Sequence, residues 1–200
     1  MDLEGHGREE LFEDVDLART VGWFTSLYPV LLRVTGGAIG EDIKTIKEQL
    51  RAVPGKGIAY GLLKYLFKDE HVRREVALQP TAQISFNYLG QFDQTLETES
   101  RIRILDNPSG MNVNASEKRS YLIDIAGRVM GGELSFIFLY SSACHSEDSM
   151  QRLAQIFRDS LQDIIAHCTS SEIGERTAAD FTASNLTEDI LEEIYDEILN

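Results

Sequence analysis

Gln83-Ile84-Ser85-Phe86-Asn87-Tyr88-Leu89-Gly90 alternates polar and apolar side chains until its last residues. In an extended chain Gln83, Ser85 and Asn87 share one face, and Ile84, Phe86 and Tyr88 share the other. Such a strand turns its apolar face to a core and its polar face to a wet cleft. Asn87 is then placed to touch a polar ligand. Tyr88 joins it only if Gly90 bends the strand or the hydroxyl reaches round. An ordinary half-buried strand ending at a glycine turn carries the same pattern.

Outward from this strand, Tyr121 to Val129 and Glu133 to Tyr140 read as two further strands around Met130-Gly131-Gly132, a hairpin signal. Residues 20–34 are β-branched and aromatic and read as a strand broken at Pro29. Ile39, Ile43, Ile46 and Leu50 recur at helical spacing, which predicts an amphipathic helix over 38–52. Val53 to Gly57 is a turn, and Tyr60 to Phe67 a short apolar helix. Ser146 to Cys168 reads as a long amphipathic helix with Ser146 as its N-cap. Residues 1–10 read as a loop running into a short helix. Residues 93–119 are polar, with a turn at Asn107-Pro108-Ser109-Gly110. Strands interleaved with helices predict an α/β fold, an α+β sandwich. The expected division is one lobe over 1–168, a linker over 169–186 and a terminal helix over 187–200.

The formal net charge of −14 argues against nucleic acid and anionic membranes as partners, because a phosphate surface demands a basic face. Seven of the acids lie between Asp180 and Asn200, a stretch without Lys or Arg. Two cysteines, Cys144 and Cys168, make no disulfide framework and fit a reducing, cytoplasmic setting. The acidic N-terminus has no signal-peptide character, and no apolar run approaches a membrane span. His6, His71, His145 and His167 are dispersed, without a metal-ligand spacing.

Three strings stand out: Glu4-Gly5-His6-Gly7-Arg8-Glu9, Arg19 to Pro29 (RTVGWFTSLYP), and Phe86 to Asp93 (FNYLGQFD). Their order and spacing resemble the second half of an epimerization domain of a nonribosomal peptide synthetase, within the condensation-domain superfamily. The resemblance covers residues 1–168. Pro54 to Gly61 resembles a further motif of that family, PxxGxGYG, with Ala59 where a second glycine is expected. The implied fold is one lobe of the chloramphenicol acetyltransferase type, in which two lobes meet in a V around a tunnel. The family's histidine motif, HHxxxDG, does not occur in the chain. The resemblance therefore implies half of an active site, with an N-terminal lobe as missing partner.

It also implies a reaction. The family interconverts L- and D-aminoacyl or peptidyl thioesters held on the phosphopantetheine arm of a peptidyl carrier protein, with no other cofactor and no metal. A proton leaves one face of the α-carbon and returns on the other while the thioester carbonyl carries an enolate. Glu4 is the implied acid/base, with Asn87 and Tyr88 near the reacting centre. Arg8 follows Glu4 by four residues and would pair with it in a helix; it is also a candidate substrate-binding residue. Trp23, Phe24 and Tyr28 read first as core; the functional alternative makes Trp23, Thr25 and Ser26 a tunnel wall that receives the pantetheine arm. Lys56 is a candidate contact for an acidic carrier.

Ile190, Leu191, Ile194 and Ile198 form an apolar stripe on the terminal helix, opposite a row of acids. It either docks onto a downstream synthetase or packs back on its own lobe. Two other functions stay open: a non-catalytic docking or scaffold module, and, ranked below it, an acyltransferase.

Overall fold

The computed structural model describes residues 1–8, 14–91 and 117–170, with Thr177 and Asp180. The polar stretch over 93–119, the linker and the terminal helix with Ile190, Leu191, Ile194 and Ile198 lie outside the described residues, apart from 117–119 and 169–170 at the edges and Thr177 and Asp180. The chain forms two compact units. One comprises Met1–Val30 and Gly57–Gln151; the other comprises Leu31–Lys56 and Arg152–Asn200.

The first unit is built on a mixed sheet of five described strands: β1 (Asp2–Gly5), β2 (Ser26–Pro29), β3 (Ile84–Gln91), β4 (Ile123–Met130) and β5 (Glu133–Tyr140). Their spatial order is β2-β1-β3-β4-β5. The β1/β3 and β3/β4 pairs are parallel, and the outer pairs β1/β2 and β4/β5 are antiparallel. The β4–β5 hairpin turns through Gly131 and Gly132, both at positive φ, where a side chain would clash with its own backbone.

Register sorts the side chains. Leu3 lies level with Phe86, and Phe86 with Ile125, so the apolar members of each strand share one face. Phe86 meets Phe136 with ring centroids 6.2 Å apart. Gly127 leaves room for the Phe136 ring, since a Cβ there would overlap it. Asp2, Ser85 and Asp124 are level on the opposite face; two residues further along, Asn87 is level with Ala126 and hydrogen-bonds Glu4. The sheet thus has an oily side and an acidic side.

The beginning of the chain differs from its sequence reading. The expectation for residues 1–10 is a loop running into a helix, yet Asp2–Gly5 is a strand held on both edges by β2 and β3. A segment of four residues has too little periodicity to announce itself; its neighbours supply the hydrogen bonds that make it extended. Residues 20–34 likewise contribute a strand only over Ser26–Pro29, and the segment ends at the proline as expected.

Beyond the turn at 54–57, helix α2 (Ile58–Gly61) continues into a π-helical turn over Leu62–Leu66. Gly55, Lys56 and Gly57 are consecutive left-handed residues, and Gly57 sits against the Tyr28 ring. Helix α3 (Glu70–Ala77) has no counterpart in the sequence reading. Its N-cap Asp69 accepts a hydrogen bond from the His71 amide at 2.8 Å. Helix α4 (Glu147–Ser170) begins in the first unit and ends in the second. Its Ser146 cap forms as predicted, with Oγ accepting from the Ser149 amide at 3.3 Å.

In the second unit, α1 (Ile39–Arg51) has acids in its first turn and Arg51 in its last, matching the helix dipole. Its apolar stripe and Ile164 of α4 line a groove of about 730 Å³. Lys47 and Arg51 both pair with Asp180, which also accepts from the Thr177 amide at 2.8 Å. Thr177 is only 1% exposed.

Candidate active site

Glu4 stands on β1 with Leu27 of β2 on one side and β3 on the other. It lies on the acidic face of the sheet, half-buried. Asn87 occupies the neighbouring position on β3, also half-buried. Its Nδ2 donates to Glu4 Oε2 at 2.6 Å. Its Oδ1 lies 2.8 Å from His6 Nε2. His6 follows directly on β1, and its ring and the Glu4 carboxylate both reach the Asn87 amide. Asn87 bridges them from the next strand.

The same face carries two more carboxylates. Asp2 Oδ2 accepts the Tyr121 hydroxyl proton at 2.7 Å. Asp124 accepts from Ser85 Oγ at 2.6 Å and pairs with Arg119. Burial, then the hydrogen bond to Asp2 and its charge, and the charges of Asp124 and Glu4, hold the Tyr121 phenol well above its ordinary value. Tyr121 therefore keeps its proton, and its role as donor to Asp2, beyond the pH at which an ordinary tyrosine ionises. Sequence reasoning missed it; its signal was an unremarked tyrosine at a strand entry.

Tyr88 falls on the opposite side of β3 from Asn87, is 43% exposed, and takes no part in the Glu4–Asn87–His6 network. The strand does break register after it, between Tyr88 and Gln91, where Gly90 has φ +80. That irregularity lies beyond Tyr88 and leaves its own alternation intact. Arg8 is not stacked on Glu4, because no helix forms there. Its guanidinium donates to the carbonyls of Leu17 and Thr20, both at 2.6 Å, and covers the Phe24 ring at 4.6 Å. Arg8 thus pins the segment leading into β2.

Trp23 is 91% exposed, against the first expectation that it is core. It hangs from that segment rather than from a strand. Trp23, Thr25 and Ser26 instead line a concavity of about 900 Å³, with Tyr60, Lys64 and Tyr121 also on its wall. Lys64 lies over the Tyr60 and Tyr65 rings. Among the described residues no group of His, Cys, Asp or Glu is arranged to hold a metal ion. No described helix is long and apolar enough to cross a membrane.

The mixed sheet with its helices matches the chloramphenicol-acetyltransferase-like fold of condensation and epimerization domains, and further comparisons define the family. The condensation-domain profile matches residues 1–187. The chain is 44% identical over 191 residues to a component of the linear gramicidin synthase of Brevibacillus parabrevis, covering 95% of this chain and 2% of that protein. It is 40% identical over 209 residues to tyrocidine synthase 1 of the same organism, covering 99% of this chain and 19% of that protein. The chain thus spans a small fraction of the length of these relatives. The crystal structure of the epimerization domain from the third module of tyrocidine synthetase B superposes with a TM-score of 0.74 at 35% identity, over 85% of this chain and 37% of that one. The chain belongs to the condensation-domain family of nonribosomal peptide synthetases. Domains of this family act with carrier proteins that present substrates on phosphopantetheine.

Proposed function

We propose that residues 1–168 are the C-terminal lobe of an epimerization domain, acting on aminoacyl or peptidyl thioesters of a peptidyl carrier protein. Glu4 exchanges the α-proton on one face of the substrate, and a group from the other lobe serves the opposite face. The C–H electron pair moves into the thioester carbonyl to give an enolate, and reprotonation from the far side inverts the centre. The observation that carries this reading is the 2.6 Å hydrogen bond that aims the Glu4 carboxylate on a polar sheet face. The similarity to a solved epimerization domain supports it. Asn87 orients Glu4, and the concavity lined by Trp23, Thr25 and Ser26 suits a pantetheine arm. Tyr88 and Arg8 are given no contact with substrate.

The test places the chain in its complete synthetase, with an aminoacyl carrier protein in deuterated water. Deuterium should enter the α-carbon and D-isomer should accumulate, and Glu4→Gln should abolish both. Undiminished exchange in Glu4→Gln, or peptide-bond formation with no exchange in the wild type, rejects the reading.

A further inference from the structure

The amide of Asn87 has two ends, and the structure assigns each a different partner. A carboxylate only accepts hydrogen bonds, so the end 2.6 Å from Glu4 Oε2 is the NH₂ group. The other end is then the carbonyl oxygen, 2.8 Å from His6 Nε2. A carbonyl oxygen accepts only, so Nε2 of His6 must carry the proton. The neutral imidazole is thereby committed to its Nε2–H tautomer, with Nδ1 left as the unprotonated nitrogen.

We propose that His6 is a positioning residue that acts on Glu4 through Asn87. An asparagine amide can rotate by half a turn with little change in shape. In the rotated state Oδ1 faces the Glu4 carboxylate, and two acceptors oppose each other. The His6 N–H holds Oδ1 away from Glu4 and keeps the NH₂ group on it. Local structure makes this possible. Glu4 lies in β1 and His6 is the first residue beyond it, and Asn87 of the adjoining parallel strand β3 hydrogen-bonds both side chains. Gly5 and Gly7 put no side chain on either flank of His6. His6 is itself exposed, so its loss leaves no hole in the core. The catalytic part of this proposal rests on the epimerase reading; the hydrogen-bond polarity does not.

Two measurements separate them. The first uses the chain alone. Nitrogen chemical shifts of the His6 ring, at a pH where it is neutral, should show the Nε2–H tautomer, and Asn87→Ala should release it to a mixture. A ring already in the Nδ1–H form, or one indifferent to Asn87→Ala, overturns the proposal. The second uses the complete synthetase and follows α-carbon exchange. His6→Ala should lower kcat on the order of 10- to 100-fold with KM for the loaded carrier unchanged, as misaimed catalytic groups do. His6→Gln presents an amide N–H near the Nε2 position and should recover most of the rate. His6→Asn is too short and should not. An active wild type with unaltered kcat in His6→Ala overturns the positioning role. A wild type that exchanges nothing rejects the epimerase reading instead, and the ring shifts still decide the hydrogen-bond pattern.

Discussion

Glu4 and Asn87 lie 83 residues apart in the chain and are joined by a single 2.6 Å hydrogen bond between adjacent parallel strands. The bond engages Oε2; on the epimerase reading proposed above, Oε1 is the oxygen that would take the substrate proton. Asn87→Ala should therefore slow α-carbon exchange in the complete synthetase by about 10- to 100-fold, the scale expected when an acid/base is present but loosely aimed. Asn87→Asp should be worse, because it sets two carboxylates against each other. Exchange kinetics on a loaded carrier protein check both, and an Asn87→Asp variant as fast as wild type contradicts the assignment.

Tyr121 and Asp2 make the second tie on this face, at 2.7 Å. Removing the hydroxyl with Tyr121→Phe should cost about 1–3 kcal/mol, since the acceptor is charged and part-buried. The pH dependence follows from the raised phenol. A group whose folded-state pKa is raised contributes stability in full below its ordinary value of 10.0 and loses it as the pH climbs above that. Wild type should thus lose stability more steeply than Tyr121→Phe above about pH 10. Denaturant midpoints across the alkaline range measure this, and parallel curves would count against it.

Acid should act on the second unit. The Lys47 hydrogen bond, then the Thr177 amide and Arg51, hold Asp180 far below the ordinary carboxylate value. The Thr35 hydroxyl and amide do the same, less strongly, for Asp42. A depressed carboxylate contributes fully above its ordinary value of 3.8 and loses its contribution as the pH falls through the folded value. Hydrogen exchange at the Thr177 amide should therefore quicken below that pH relative to its intrinsic rate. In Asp180→Asn it should be fast at neutral pH as well.

Glycine substitutions should split by surroundings. Gly36 and Gly57 both have positive φ, +72 and +84. Gly36 faces open space, so Gly36→Ala carries only the backbone penalty of roughly 1–2 kcal/mol. At Gly57 a Cβ would also overlap the Tyr28 ring, and Gly57→Ala should cost a further 1–3 kcal/mol or so. Thermal unfolding of the two variants should rank them in that order. Equal losses would mean that Tyr28 swings away freely.

Long periodic elements were legible without coordinates. Glu133–Tyr140 matches its sequence reading residue for residue, and α1 and α4 match within two residues at each end. Their apolar spacing extends over enough positions to exclude the alternatives. Helix α3 was not legible, because Val72 and Val76 are too few to make a stripe among its charges. Its cap, Asp69, was the available signal. In the candidate site, Glu4 and Asn87 stood out by motif and by strand alternation, whereas His6, Tyr121 and Asp2 did not. A side chain's hydrogen-bond partner on another strand leaves no local mark on the sequence.

Alternation within β3 decided, before any coordinates, that Asn87 and Tyr88 face opposite ways, because the period of an extended chain is two and needs no neighbour. Composition alone set the acidic character of the molecule. Only the tertiary structure decided that Asp2–Gly5 is a strand, that Arg8 serves the backbone of Leu17 and Thr20, and that Glu4, Asn87 and His6 form one chain of hydrogen bonds. Those outcomes depend on strand order and register, which bring together groups 81 and 83 residues apart and are settled by packing over the whole sheet.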